Sequence, residues 1–166
     1  MQKKALTDPS LFVFKAGSTV KLDVNGIPDA SQREKITQSL TKKLKEMDCT
    51  VGPNGTIDLV ATVEGPKTRE ISFFTSGDYK MQEYVTGIKL VYQGKVAWQS
   101  TSTNVPFMVH LKRGENMEGH LRSLEKPQYG FFDGVHLPKF VQKPAGNGPQ
   151  AQQTIGQSRV STTGIR

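Results

Sequence analysis

Cysteine is nearly absent: Cys49 is the one example in 166 residues, so neither an intramolecular disulfide nor a multi-cysteine zinc site is open to the chain. Its expected role is that of a small buried hydrophobe rather than a nucleophile. Long apolar runs are missing too. No stretch of about 18 apolar residues occurs, which excludes a helix spanning a bilayer. The opening Met1-Gln-Lys-Lys-Ala-Leu-Thr-Asp-Pro-Ser10 is interrupted by Asp8 and Pro9 before an apolar segment of signal-peptide length develops, so no export signal is expected. The compartment stays open, and it includes the bacterial periplasm or envelope if the chain is cut from a longer one.

Patterns that carry chemistry are equally scarce. There is no Walker loop, no strand-borne Gly-x-Gly-x-x-Gly and no Gly-x-Ser-x-Gly elbow. These are the patterns in which backbone N–H groups cradle phosphate or a tight turn presents a serine nucleophile. The histidines His110, His120 and His136 lack ligand spacing, since His120 has Asn116 and Leu124 one turn away on either side. A metal-dependent enzyme would need His110, His120, Asp133 and His136 to converge, with Cys49 as a further candidate. The sequence supports no catalytic residue, no cofactor, no metal and no small-molecule substrate.

What the chain does have is basic charge, unevenly spread. It carries 22 Lys and Arg against 15 Asp and Glu, a net charge of +7. Residues 143–166 hold three of the basic residues and no acid, so three of the seven excess charges lie there. Gly, Pro, Gln, Ser and Thr dominate that stretch, the composition of a flexible tail. Within it, Thr154-Ile-Gly-Gln-Ser-Arg-Val-Ser-Thr-Thr-Gly-Ile165 has enough β-branched residues to add a strand to an exposed sheet edge, with Ile155, Val160 and Ile165 as candidate contacts.

Regular structure is legible from residue 20 onward. Val20, Leu22 and Val24 alternate with Lys21 and Asp23, a half-buried strand ended by Asn25-Gly26 and Pro28. Asp29 with Gln32 reads as a helix start, Ser31 with Glu34 as an alternative. The stripe Ile36, Leu40, Leu44 and Met47 predicts a helix over about 29–48 with one apolar face. Gly52-Pro53-Asn54-Gly55 is a turn, and Ile57, Leu59, Ala61 and Val63 form a second alternating strand that Gly65-Pro66 is expected to close. A third strand over 69–75 should pair with 82–92. Gln93-Gly94 reads as a two-residue hairpin turn leading into a strand over 95–103 anchored by Trp98.

Beyond Asn104 the pattern weakens. Residues 106–111 read as a short strand or an apolar clamp, and 116–124 as a short helix. Pro138 makes 135–141 an edge strand or an extended segment over the core. Lys42, Lys43 and Lys45, with the aromatics Phe73, Phe74 and Tyr84, are the candidates for a nucleic-acid surface. Lys42 and Glu46 stand one turn apart, however, and acids share the helix, so a solvated face is the simpler account.

The run from Thr19-Val-Lys-Leu-Asp-Val24 through Ile57-Asp-Leu-Val-Ala-Thr-Val63 to Val96-Ala-Trp-Gln99 resembles the small α/β domains of bacterial envelope lipoproteins, over residues 18–103. The chain departs from them in lacking an N-terminal lipoprotein cysteine. Phe131-Phe-Asp-Gly-Val-His-Leu-Pro-Lys-Phe140 instead resembles carboxy-terminal modules of larger bacterial proteins. Both likenesses imply binding or assembly rather than catalysis.

The expected architecture is therefore α+β, a two-layer sandwich with one main amphipathic helix on a mostly antiparallel sheet of about five strands, plus a short second helix. Residues 1–17 read as an N-terminal extension, 18–142 as one domain and 143–166 as the tail. The expected function is non-enzymatic protein binding or self-association. Nucleic-acid binding through the basic helix face and a metal-dependent enzyme around the histidines are the alternatives.

Overall fold

Asp29 starts the main helix as its sequence predicts. Its side chain accepts a hydrogen bond from the Gln32 amide at 3.1 Å, satisfying one of the amides that a helix N-terminus leaves free. In this computed structural model, which describes residues 11–75 and 77–144, the helix α1 runs Ala30–Glu46. Ile36, Leu40 and Leu44 are buried and Met47 is packed against the same core. The helix ends in a Schellman turn: Asp48 takes a left-handed φ of 60°, its amide donates to the Lys45 carbonyl, and the Cys49 amide donates to the Leu44 carbonyl at 2.8 Å. Asp is one of the few residues other than glycine that enter this region cheaply.

Among the described residues seven strands accompany it: β1 Phe12–Phe14, β2 Thr19–Gly26, β3 Thr50–Val51, β4 Ile57–Phe73, β5 Gly77–Tyr92, β6 Lys95–Thr103 and β7 Val141–Gln142. Five form one sheet in the order β3-β2-β4-β5-β6, and β1 pairs with β7 separately. β2 lies parallel to β4, with α1 as the connection, while β4, β5 and β6 form an antiparallel meander. Most paired residues are thus antiparallel. Among the described residues there are two further, short helices, α2 Met117–Ser123 and α3 Gly130–Gly134. Asn116 caps α2, accepting from the Gly119 amide at 2.7 Å.

One expected boundary is corrected. Gly65-Pro66 does not close a strand: β4 continues through it to Phe73, and the separate third strand is its distal half. The irregularity is absorbed as a bulge, with Glu64 opposite Val85 and Lys67 opposite Glu83. The bulge requires glycine, because Gly65 has a φ of 118° and a Cβ there would stand 2.5 Å from the Glu83 carbonyl oxygen. At the next turn Gln93 and Gly94 both have positive φ, 49° and 77°, as a two-residue hairpin turn demands.

The main core joins α1, the sheet, β1 and β7. Val20, Ile57, Leu59, Ala61, Ile88 and Leu90 line one sheet face. Trp98 is buried as expected, and so is its neighbour Ala97, because a bulge in β6 between the partners of Leu90 and Val91 breaks the alternation. Phe14 and Phe132 are fully buried in this core, with Val13, Val135 and Val141. Strand β1, inside the stretch expected as an extension, and helix α3, not anticipated from the sequence, are therefore core elements. Val135, Leu137 and Val141 lie over the core as the proline-interrupted segment was expected to do.

Candidate partner-binding surface

β4 and β5 are far longer than their neighbours. β2 last pairs with β4 at Thr62 and β6 last pairs with β5 at Val85. Residues 67–73 and 77–83 therefore run on as a two-stranded ribbon. Period-two alternation gives it two chemically different faces. On one, Gln82 donates to Thr68 at 3.2 Å, Lys80 pairs with Glu70 at 3.5 Å, and Ser72 donates to Asp78 at 2.5 Å. Cross-strand pairs of this kind hold a ribbon's register.

The other face is apolar toward the tip. Met81, Met117 and Leu121 form a second buried cluster, and Ile71, Phe73, Tyr79, Val105, Val109 and Leu124 pack against it. Phe73 and Tyr79 have their ring centroids 6.1 Å apart. Because Tyr79 and Met81 are odd positions of β5 whereas Thr86, Ile88 and Leu90 are even, α2 covers the sheet face opposite to α1. At the base of this face Arg69 pairs with Glu83 at 3.1 Å, and Glu83 also accepts from Thr103.

The two edges of the ribbon differ. On the β5 side, the buried Asn104 accepts from the Tyr84 amide at 2.7 Å and donates to the carbonyls of Gln82 at 2.9 Å and Leu124 at 2.8 Å. Glu125 accepts from the Gln82 amide at 3.2 Å. Side chains thus close this edge where β6 stops. On the β4 side, no strand among the described residues pairs with residues 63–73 other than β5. Pro66 and the bulge spoil the edge near residue 65 for strand addition, leaving residues 68–73 as an open edge.

Several apolar side chains of this region are exposed. Phe74, next to the hairpin tip, is wholly exposed, Phe107 is 71% exposed and Met108 59%. Their chain neighbours Phe73 and Val109 both pack against the second cluster. Of the aromatics read as exposed in the sequence, only Phe74 is so; Phe73 and Tyr84 are half-buried. The periodic patterns gave no sign of Asn104 as an edge cap.

The remaining candidates are dispersed. Lys42 is exposed and pairs with Glu46 at 3.9 Å. Lys43 and Lys45 lie in the last turn of α1, where a cation meets the negative end of the helix dipole. No three of His, Cys, Asp and Glu among the described residues are grouped to hold a metal ion. Cys49 is buried, and burial pushes its thiol pKa upward against the lowering effect of hydrogen bonds from the Ser18 and Gly17 backbone. Burial likewise raises the Tyr129 phenol, helped by the charges of Asp29 and Tyr84. Ile155, Val160 and Ile165 lie outside the described residues. No described helix is long and apolar enough to cross a membrane.

No protein-family model matches the chain. No curated protein matches it either. Among solved structures, a PelC dodecamer from Paraburkholderia phytofirmans is similar over 57% of this chain and 71% of that one, at 15% sequence identity and a TM-score of 0.30.

Proposed function

We propose that the chain is a non-enzymatic binding or assembly module that captures a partner strand along residues 68–73 of β4. The carrying observation is the difference between the ribbon's edges: Asn104 and Glu125 close the β5 edge at Gln82 and Tyr84, whereas among the described residues no strand other than β5 pairs with residues 68–73 of β4. An added strand would complete those hydrogen bonds and place alternate side chains on each face. The 154–165 segment of a second copy has the composition for this, with Ile155, Val160 and Ile165 as its contacts. The likeness of residues 18–103 to envelope lipoprotein domains implies the same class of function.

The test uses a chain ending at Pro144 and a labelled peptide of residues 154–165, read by fluorescence anisotropy. Proline is placed at each position from Thr68 to Ser72 in turn. Where the native N–H faces outward, proline leaves the melting temperature unchanged and abolishes peptide binding. A peptide that does not bind the parent, together with a full chain that stays monomeric by light scattering at all concentrations, overturns the reading.

A further inference from the structure

We infer that the β4 edge selects an extended segment of another protein with apolar side chains at two alternate positions, i and i+2, and a polar residue between them. This rests on the strand-capture reading above and adds to it the sequence pattern of the captured partner.

The pattern follows from the side chains that residues 68–73 already present. Ile71 and Phe73 stand two residues apart, so they share one face of the ribbon, where both pack against the cluster of Met81, Met117 and Leu121. Neither is fully covered, since both are half-buried. Thr68, Glu70 and Ser72 are exposed on the opposite face, and each is matched across the ribbon to a polar residue, Gln82, Lys80 and Asp78 in turn.

A strand added to this edge repeats the alternation, because residues directly opposite one another on paired strands lie on the same face with their Cβ atoms about 4.5–5.5 Å apart. Its side chains beside Ile71 and Phe73 are therefore two residues apart as well. Apolar groups at both positions take further surface of Ile71 and Phe73 out of water. The residue between them stands beside Ser72, on the polar face. Arg69, the next residue on the apolar face, is held by Glu83 at 3.1 Å, so the apolar part of the edge ends at Ile71 and the pair is the whole motif.

The chain's own segment 154–165 matches this pattern at one position only. Ile155, Val160 and Ile165 are spaced by five residues, an odd number, so Val160 falls on the opposite face from the other two in any extended pairing. Ile155 and Ile165 share a face but are ten residues apart, more than the edge 68–73 spans. In any one register a single one of the three reaches Ile71 or Phe73. The segment of a second copy is thus the weaker occupant, and a strand with the alternate apolar pair displaces it.

The experiment compares three labelled peptides of residues 154–165 by fluorescence anisotropy, on the full chain and on one ending at Pro144: the native sequence, Ser158→Val and Ser161→Val. The two variants make the same chemical change on either side of Val160. Ser158→Val creates the i, i+2 pair with Val160 and should bind about fivefold tighter than the native peptide, the upper scale of a cross-strand apolar pair. Ser161→Val puts its added methyl groups on the other face and should stay within about twofold of native. Ile71→Thr in the protein, which keeps a β-branched residue in the strand, should cancel the gain of Ser158→Val. A gain from Ser161→Val equal to or above that from Ser158→Val, or no gain from Ser158→Val over a native peptide that binds, overturns the inference and leaves strand capture standing. No binding by any of the three peptides to either chain overturns strand capture, and this inference with it.

Discussion

Asn104 stands opposite Tyr84 as if β6 had one more strand residue: its side-chain oxygen accepts the Tyr84 amide at 2.7 Å while its own amide donates to the Tyr84 carbonyl at 3.3 Å. Its side-chain nitrogen reaches both the Gln82 and Leu124 carbonyls. One carboxamide therefore terminates the β5 edge and ties the end of α2 to it.

Asn104→Ala should remove all three side-chain bonds from a site where the residue is 3% exposed. Buried main-chain groups left without partners cost roughly 1–3 kcal/mol each, with partial relief from water, so a loss of about 2–4 kcal/mol is expected. Asn104→Asp keeps the acceptor for Tyr84 but loses both donors and should be no better. Urea denaturation measures both, and a change below about 0.5 kcal/mol for Ala, the range of ordinary surface substitutions, would show that the edge is not held this way.

Phe14→Ala should destabilise by about 3–5 kcal/mol, the usual range for deleting a buried aromatic ring, because Phe14 is fully buried in the main core. Leu11→Ala, three residues earlier and 40% exposed, should stay within about 0.5 kcal/mol. Equal effects of the two would return residues 11–17 to the status of an extension.

Gly65→Ala forces a side chain into a φ of 118° and against the Glu83 carbonyl oxygen. A cost on the order of 1–3 kcal/mol is expected, with the β4 bulge disturbed. Gly130→Ala, at the start of α3 with open space where a Cβ would stand, should be neutral or slightly stabilising by thermal melting. A neutral Gly65→Ala is the outcome that contradicts the bulge geometry.

Cys49 should be inert in the folded chain. Burial raises its thiol pKa above the ordinary 9.0, and the thiolate is the reactive form. Iodoacetamide labelling near neutral pH should be at least about tenfold slower than in denaturant. A folded pKa above the unfolded one means that this stability contribution is complete below the unfolded value and is lost as pH rises through the folded one. Cys49→Ala should therefore flatten the alkaline decline in stability, measured above the ordinary thiol pKa. Rapid native labelling contradicts the buried thiol.

The local elements were legible because each satisfies its own rule within a few residues. Asp29 with Gln32 caps a helix whose stripe Ile36, Leu40 and Leu44 faces the sheet, Asn116 caps α2, and Gln93-Gly94 turns a hairpin. Gly65-Pro66 misled because a turn signal and a bulge use the same residues; only pairing with β5 on both sides of it makes one strand of Ile57–Phe73.

The amino-acid sequence by itself determined the α+β class, the main helix and the alternating strands, since periodicity and capping are local properties. Tertiary structure decided what pairs at a distance: β1 with β7, Phe14 and Phe132 in one core, α2 on the face opposite to α1, and Asn104 against Tyr84. The same holds for the candidate surface. Whether an edge is open, or a phenylalanine exposed as Phe74 is or half-buried as Phe73 is, depends on residues far along the chain, and no periodic pattern within a segment encodes that.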